Sequence, residues 1–579
     1  MKKYVIMSVR HHMIRSLYSV FCILCSLSAF AQSDSVLNRT ITVERDFQPV
    51  IQAAGKISTK PAVVETTIEP TPVEYSDINY QLSTINYSSP NLISQPTKFA
   101  PGMPYDGYVR GAAGHPNTLF DFGYHLNDGK NSILDIYAHH RGDWCHAMTL
   151  SKTKLGFDFT HPFSTCDLYF GVNGGNIYYH RYGDLYADSL PNNHTTLWTM
   201  EVYAGVKANA KQDVQYRFQT GYVLFTKPGA VSEHQIRTRA ELDWHTDVHH
   251  VGAKIYAQNN FMQLDKNTLG AAIPDSLYNS RHNLRIEPYY AYEGSRVRVH
   301  AGVNLDINIG LGKNDLSGTE NISFAPSPHV RFEAQVAKQW LTLYADVLGF
   351  HGLGNLQEFM EFNRYRYIQA GITEHHVAAY TPVDAELGFH IRPHRDLLIE
   401  LHGGYARMLN QEVLLADGTG NLSFFYADYH RGKVGAQADY HYRDIVRVHL
   451  HGDYYAWSGD PVYDRAAWDL GLRIDGRIDK HWSLYSENNF VGSRKALAWD
   501  GEHTLKPLID LDLGVQCELW VGQAKSQKPS ATSQILRPEP QPNLTLFFQL
   551  DNFIHRKNEL YYGFHTHGIN FLIGATFRF

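Results

Sequence analysis

The stretch "RVRVHAGVNLDINIGLG", residues 296–312, restricts the possible folds of this chain more than any other feature. In an extended strand Val297, Val299, Ala301, Val303, Leu305, Ile307, Ile309 and Leu311 share one face, opposite Arg298, His300, Asn304, Asp306 and Asn308. The same rule holds in "DIVRVHLHGDYYAW", where Val446, Val448, Leu450 and Ala456 oppose Arg447, His449, His451 and Asp453. A soluble sandwich alternates too, but its strands usually run about 5–6 residues. These runs are long enough for the roughly 9–11 residues that carry a strand across a bilayer. In lipid no backbone N–H or C=O can go unpaired, so such strands must close on themselves. The expected fold is all-β, a transmembrane antiparallel β-barrel.

Link lengths give an independent reading. Short polar turns at Leu126–Lys130, Glu293–Ser295, Arg392–Asp396, Tyr442–Asp444 and Ile478–His481 alternate with longer segments. The longer ones are Asp265–His282, Leu311–Pro328, Phe350–Tyr380, Met408–Arg431 and Val491–Asp510. Outer-membrane barrels show this asymmetry between periplasmic turns and extracellular loops. The tally from Tyr105 to Phe579 is about 22 strands, an even number as expected. Gly522–Pro542 is long and Pro-rich where a short turn is due, and a break there would reduce the count to 18–20.

The chain opens with basic Arg10 and Arg15, an apolar stretch from Leu17 to Phe30 and a small-x-small site at Ala29–Ala31, so residues 1–31 read as a signal peptide. That stretch is too short for a membrane helix. Residues 32–104 carry eight of the 24 prolines and read as an extended periplasmic or lumen-occupying segment, and 105–579 as the barrel. Aromatic residues make up 13% of the chain, which suits strands and membrane interfaces. A net charge of -6 gives no reason to expect a nucleic-acid partner. Cys145, Cys166 and Cys517 are too few for a disulfide scaffold, although a single Cys145–Cys166 bridge is left open.

The final strand ends on Phe579, with Phe571 and Phe577 on the same face. These three are read as the barrel-closing element recognised during insertion, which makes outer-membrane lipid and the barrel assembly machinery expected partners. From Leu544 to Phe579 the chain resembles the closing hairpin of TonB-dependent receptors. The matching features are Asp551-Asn552-Phe553, then Lys557 and Tyr561, then Gly563, Phe564, Gly568 and the terminal Phe. "NLQEFMEFNRYRYI", Asn355–Ile368, resembles the short loop helix of those receptors. "RTITVERDF" resembles their TonB box, which implies strand addition to a periplasmic partner through Thr40, Ile41, Thr42 and Val43. "DFQPVIQAAGKI", Asp46–Ile57, resembles the N-terminus of plugless barrels of Bacteroidota. The family carries a folded plug of well over a hundred residues, and 32–104 is too short to be one. A 22-stranded lumen is normally plugged. The occupant here would be residues 32–104, inward-folded loops such as Phe350–Tyr380, or a partner protein.

The 32 histidines invite a metal reading. Adjacent pairs, His139-His140, His249-His250 and His375-His376, point to opposite faces and cannot chelate together. His449 with His451, and His565 with His567, share a face, but further ligands would have to come from neighbouring strands. The simplest account is lumen or interfacial histidine, and the sequence predicts no metal, cofactor or catalytic residues. A triad drawn from Asp143, His146, Asp184 and His194 would be arbitrary, so no enzyme is expected. Arg298, Asp306, Arg447 and Asp453 read as a solvated lumen wall that would tune a pore. The expected function is an outer-membrane barrel of the TonB-dependent receptor type, without a full plug, taking part in solute transport in a Gram-negative cell. The alternative is a structural or assembly component that holds a periplasmic or surface partner through 32–104 and its loops.

Overall fold

The computed structural model describes residues 106–127, 132–145, 149–180, 194–209, 214–264, 281–309, 324–337, 340–352, 354–362, 379–416, 422–443, 445–459, 461–479, 481–521 and 543–579. The signal peptide, the Pro-rich segment, Thr40–Val43 and the long link 522–542 lie outside them. Twenty-six strands, β1 to β26 in chain order, and one short helix, α1 (Leu356–Phe362), are present among the described residues. Each strand pairs antiparallel with its neighbour from β1 (Gly107–His115) through β19 (Trp482–Val491), then with β22 (Leu508–Val521), β23 (Asn543–Asp551) and β26 (Asn570–Arg578). β26 then pairs with β1, from Tyr108↔Arg578 to His115↔Phe571, and closes a barrel of 22 staves. The strand tally therefore holds, since β22 and β23, on either side of 522–542, pair directly with each other.

Alternation fixes which side chains meet lipid. Outward faces carry exposed apolar residues such as Leu155, Leu242, Val303, Val434 and Ile573. Inward faces carry buried polar ones such as Gln235, Gln258, Asn304 and Asp306. A one-residue slip would reverse both sets, so the pattern also fixes the register. Exposed Trp244, Trp340, Tyr442, Trp482 and Phe577 stand near the rim that holds both barrel ends, where aromatic rings suit the water–lipid boundary. Inside, tyrosines lie flat over glycines of the next strand. A Cβ at Gly388 would sit 2.5 Å from the Tyr344 ring, and one at Gly252 would sit 2.6 Å from Tyr289.

Two expectations need correction, and the bridge left open between Cys145 and Cys166 is answered. Met408–Arg431 is not a loop: β15 (Leu397–Ala416) and β16 (Leu422–Tyr442) run through it for 20 and 21 residues, leaving only 417–421 as the link. A bulge between Met408 and Gln411, with Asn410 at φ 54°, interrupts the alternation and disguised the strands. Val491–Asp510 likewise contains a hairpin, β20 (Arg494–Ala498) and β21 (Gly501–Leu505), and β20 adds parallel to the tip of β15. Cys145 and Cys166 lie at opposite ends of the barrel, beyond β3 (Ile133–Asp143) and at the start of β5 (Cys166–His180), and all three described cysteines are free. The alternation of link lengths also has two exceptions on the outer side. Pro116 alone separates β1 from β2 (Asn117–Asn127), and 228–230 joins β7 (Val214–Lys227) to β8 (Val231–His245).

Candidate functional site

The outer mouth of the barrel is crossed by an apolar layer. Strands of 20 and 21 residues exceed what a bilayer needs, so the upper halves of β15 and β16 project beyond it. Their buried residues Leu414, Leu422 and Phe424 join Tyr179, Leu197 and Phe225 from β5, β6 (His194–Ala208) and β7 in one cluster. In a ring of 22 staves these two groups stand on opposite walls, so the cluster bridges the mouth. Leu356 and Met360 of α1 and Phe564 of the last outer loop fill its centre, each at most 1% exposed. Burying side chains of this kind is worth about 1.5–3 kcal/mol each.

A seven-residue helix does not hold by itself, and α1 is held by the wall. Its N-terminus abuts Glu233 on β8, whose Oε2 accepts the backbone N–H of Leu356 at 2.9 Å and of Gln357 at 3.3 Å. Asn355 caps the same turn, its Oδ1 accepting from Glu358 N–H at 2.8 Å. The upper end of β13 (Leu341–Gly352), from which the chain runs on to α1, is clamped as well. Arg285 on β10 (Arg281–Glu293) donates to the carbonyl of His351 at 2.7 Å, and Asn304 on β11 (Val297–Ile309) to that of Gly349 at 3.2 Å. Arg285 is in turn fixed by Asp306, whose two oxygens lie 2.9 and 3.1 Å from its Nε and whose side chain is wholly buried. Glu233 thus holds α1 against the lumen wall, while Arg285 and Asn304 fix the strand end that leads to it.

The outer loop between β17 (Val446–Ser458) and β18 (Trp468–Arg477) pins the tip of the β15–β16 hairpin. Its Asp464 accepts from Leu414 N–H at 3.3 Å and donates its own N–H to the Lys495 carbonyl at 2.8 Å. Burial pushes its carboxyl up to about 6, partly opposed by Arg465 and Arg494. Because the docked state has the higher pKa, it binds the extra proton. Docking is therefore strongest below about pH 4 and loses about 2–3 kcal/mol as pH rises through 6. Amide exchange of 459–467 is expected to be faster at pH 7.5 than at pH 5 after correction for intrinsic rates, and Asp464→Asn is expected to flatten that dependence. Equal corrected protection at both pH values would contradict this.

The lumen wall carries three groups of acids and histidines gathered from neighbouring strands. Glu287 on β10, His300 on β11 and His329 on β12 (Phe324–Ala337) meet where Glu287 Oε1 lies 3.3 Å from His300 Nε2 and 2.7 Å from His329 Nδ1. Asp243 and His245 on β8 meet His250 on β9 (His249–Leu264) near the inner rim. Glu386 on β14 (Ala379–His394) meets Glu400 and His402 on β15. The Tyr344 hydroxyl donates to Glu400 at 2.6 Å and to Glu386 at 3.0 Å, and Lys433 lies 2.5 Å from Glu386.

The residues singled out from sequence fare unevenly. Phe577 and Phe579 stack at 5.7 Å, and Phe579 also stacks on Tyr124 at 6.0 Å while its backbone bonds to Gly107. Phe571 sits at the far end of β26, paired with His115. His139 and His250 bond lumen-side Asp121 and Asp243, whereas their neighbours His140 and His249 turn to Thr153 and Tyr290. His449 and His451 share a face with ring centres 5.5 Å apart, and His449 is bonded to Asp439. Asp143 is paired with His567, His194 packs on His180, and His146, Asp184 and His375-His376 lie outside the described residues. Asp453 binds His402 at 2.7 Å, Arg298 lies 3.5 Å from Glu333, and Arg447 keeps to the lumen face. Glu233 and the three wall groups were not found from sequence.

The barrel matches solved structures over most of its length. The ferric enterobactin receptor PfeA of Pseudomonas aeruginosa aligns with a TM-score of 0.59 at 12% identity, covering 82% of this chain and 80% of that one. The siderophore receptor PirA of Acinetobacter baumannii aligns with a TM-score of 0.62 at 9% identity, covering 83% and 81%. The FrpB iron transporter of Neisseria meningitidis aligns with a TM-score of 0.60 at 8% identity, covering 83% and 82%. The chain has the barrel fold of these outer-membrane receptors. At these identities the likeness is one of fold alone. No family model matches the chain, and no curated protein matches it.

Proposed function

We propose that this chain is an outer-membrane transport barrel of a Gram-negative cell, of the TonB-dependent receptor type, whose outer mouth is gated by its own loops. The observation that carries the reading is the closure at the mouth: an apolar layer over a polar lumen, fastened by a few charged and amide groups. A permanent seal would need no such fastenings, whereas a gate needs contacts that can be released together. The neighbours named above are siderophore and iron proteins, which supports transport as the class and leaves the solute open. The inner end falls to residues 32–104, which serve as a small plug in place of a full plug domain. Thr40–Val43 would add as a strand to a periplasmic energising partner. Cells carrying the barrel without 32–104 and with the mouth released are expected to become sensitive to a bulky antibiotic that an intact outer membrane excludes. Unchanged resistance with the barrel present and folded would favour the structural reading, in which the barrel only anchors a partner.

Phe579, with Phe577, supplies the insertion element. Phe579→Ala removes the ring that bridges β26 to Gly107 and Tyr124, so the yield of heat-modifiable barrel in the outer membrane is expected to fall several-fold. Phe571→Ala, at the other end of the strand, is expected to cost less. Equal yields for all three proteins would remove the insertion role.

A further inference from the structure

We propose that Glu287, His300 and His329 form a lumen site for a divalent transition-metal cation of the zinc class. Three adjacent strands each contribute one ligand from the inward face; the register sets His300 against Arg331 and His329 against Gly302, and the three side chains converge diagonally across it. The three ligand atoms lie within 4.8 Å of one another. A tetrahedral ion with bonds of about 2.0–2.2 Å places its ligands about 3.3 Å apart. The observed 3.3 and 2.7 Å from one Glu287 oxygen to His300 and His329 are therefore close to a coordinating arrangement. Tyr289 stacks on the His300 ring at 4.9 Å and limits its rotation. The histidine side chains are 21% and 23% exposed, so the lumen can deliver both the ion and a water as fourth ligand. Three protein ligands and an open position suit reversible loading. Lys254, 3.6 Å from Glu287 and near the Tyr289 ring, supplies the countercharge that the cation would replace.

The other two groups fit an ion less well. Glu386 and Glu400 already share the Tyr344 hydroxyl, and Lys433 pairs with Glu386, which closes that network. His245 and His250 stack face to face, 15° from parallel, so their nitrogen lone pairs do not converge. The site stands independently of whether the barrel transports anything.

The test uses the full mature chain, refolded in detergent with no histidine tag, and Zn2+ or Co2+ alone as probe. One Co2+ per barrel with the absorption of a tetrahedral site is expected, and X-ray absorption of the Zn2+ form should show two imidazole ligands. In folded barrels, H300Q and H329Q together should weaken binding beyond the ~10–100-fold that follows loss of an outer-sphere partner, while H402Q should leave it unchanged. The proposal is overturned by absence of binding to the wild type, by absorption without two imidazoles, or by binding that survives the double substitution. The absorption measurement needs only wild-type protein, so a variant that fails to fold does not rescue the idea.

Discussion

Replacing Glu233 by Ala is expected to release α1 from the mouth and expose the apolar layer beneath it. The carboxylate satisfies two of the N–H groups that a helix leaves unpaired at its start, at 2.9 and 3.3 Å. Hydrogen bonds to a charged group contribute roughly 1.5–3 kcal/mol each. Losing both shifts the docking equilibrium by about 3 kcal/mol or more, about a hundredfold. The helix has only seven residues, so undocked it unravels rather than remaining as a free helix. Leu356 and Met360 leave the core together as it unravels. Cysteine placed at position 356 should react with a thiol reagent supplied from outside far faster in the Glu233→Ala background than in the parent. Glu233→Gln keeps one acceptor oxygen and should fall between the two. Equal labelling in both backgrounds would mean that the loop is held by something other than this cap.

Asp306→Ala should have a still larger effect. It leaves the Arg285 guanidinium inside the wall without its carboxylate, and removing one member of a buried pair costs about 3–5 kcal/mol. It also removes one of the two acceptors of the Asn283 amide, at 3.1 Å, and loosens the Arg285 bond to the His351 carbonyl. The expected result is a lower unfolding temperature, together with faster amide exchange across 349–362. Replacing both members, Arg285→Met with Asp306→Leu, should restore much of the stability because neither charge is left buried and unpaired. It should not restore protection of 349–362, since the arginine bond to the His351 carbonyl stays lost. If the double variant protected that segment as well as the parent, the arginine would be a structural ion pair with no part in holding the loop.

Much of the barrel was legible because a spanning strand must obey two rules together, alternation for its faces and pairing for its backbone. The run from Val297 to Ile309 obeys both, and the structure places it as one uninterrupted strand. Met408–Arg431 was misread because its extra length lies above the bilayer, where neither face meets lipid. There a bulge between Met408 and Gln411, with Asn410 at φ 54°, breaks the alternation. The site was far less visible. Glu287, His300 and His329 are separated by 13 and 29 residues, and only the adjacency of β10, β11 and β12, with side chains reaching diagonally across the register, turns that spacing into contact. Glu233 and Leu356 are 123 residues apart, and nothing local to either announces the pairing. Alternation assigns a residue to a face but not to a height on the wall, and function in a barrel depends on height.

We propose that a conducting lumen is closed at its outer mouth by releasable loop contacts. Single-channel conductance in a planar bilayer tests it most directly, on the refolded mature chain, on the chain lacking 32–104, and on that shortened chain with Glu233→Ala. The account predicts silence from the first, rare openings from the second, and frequent openings of large conductance from the third. If all three stay silent while folded, the lumen is sealed by more than its loops and the N-terminal segment, and the barrel is not a gated pore.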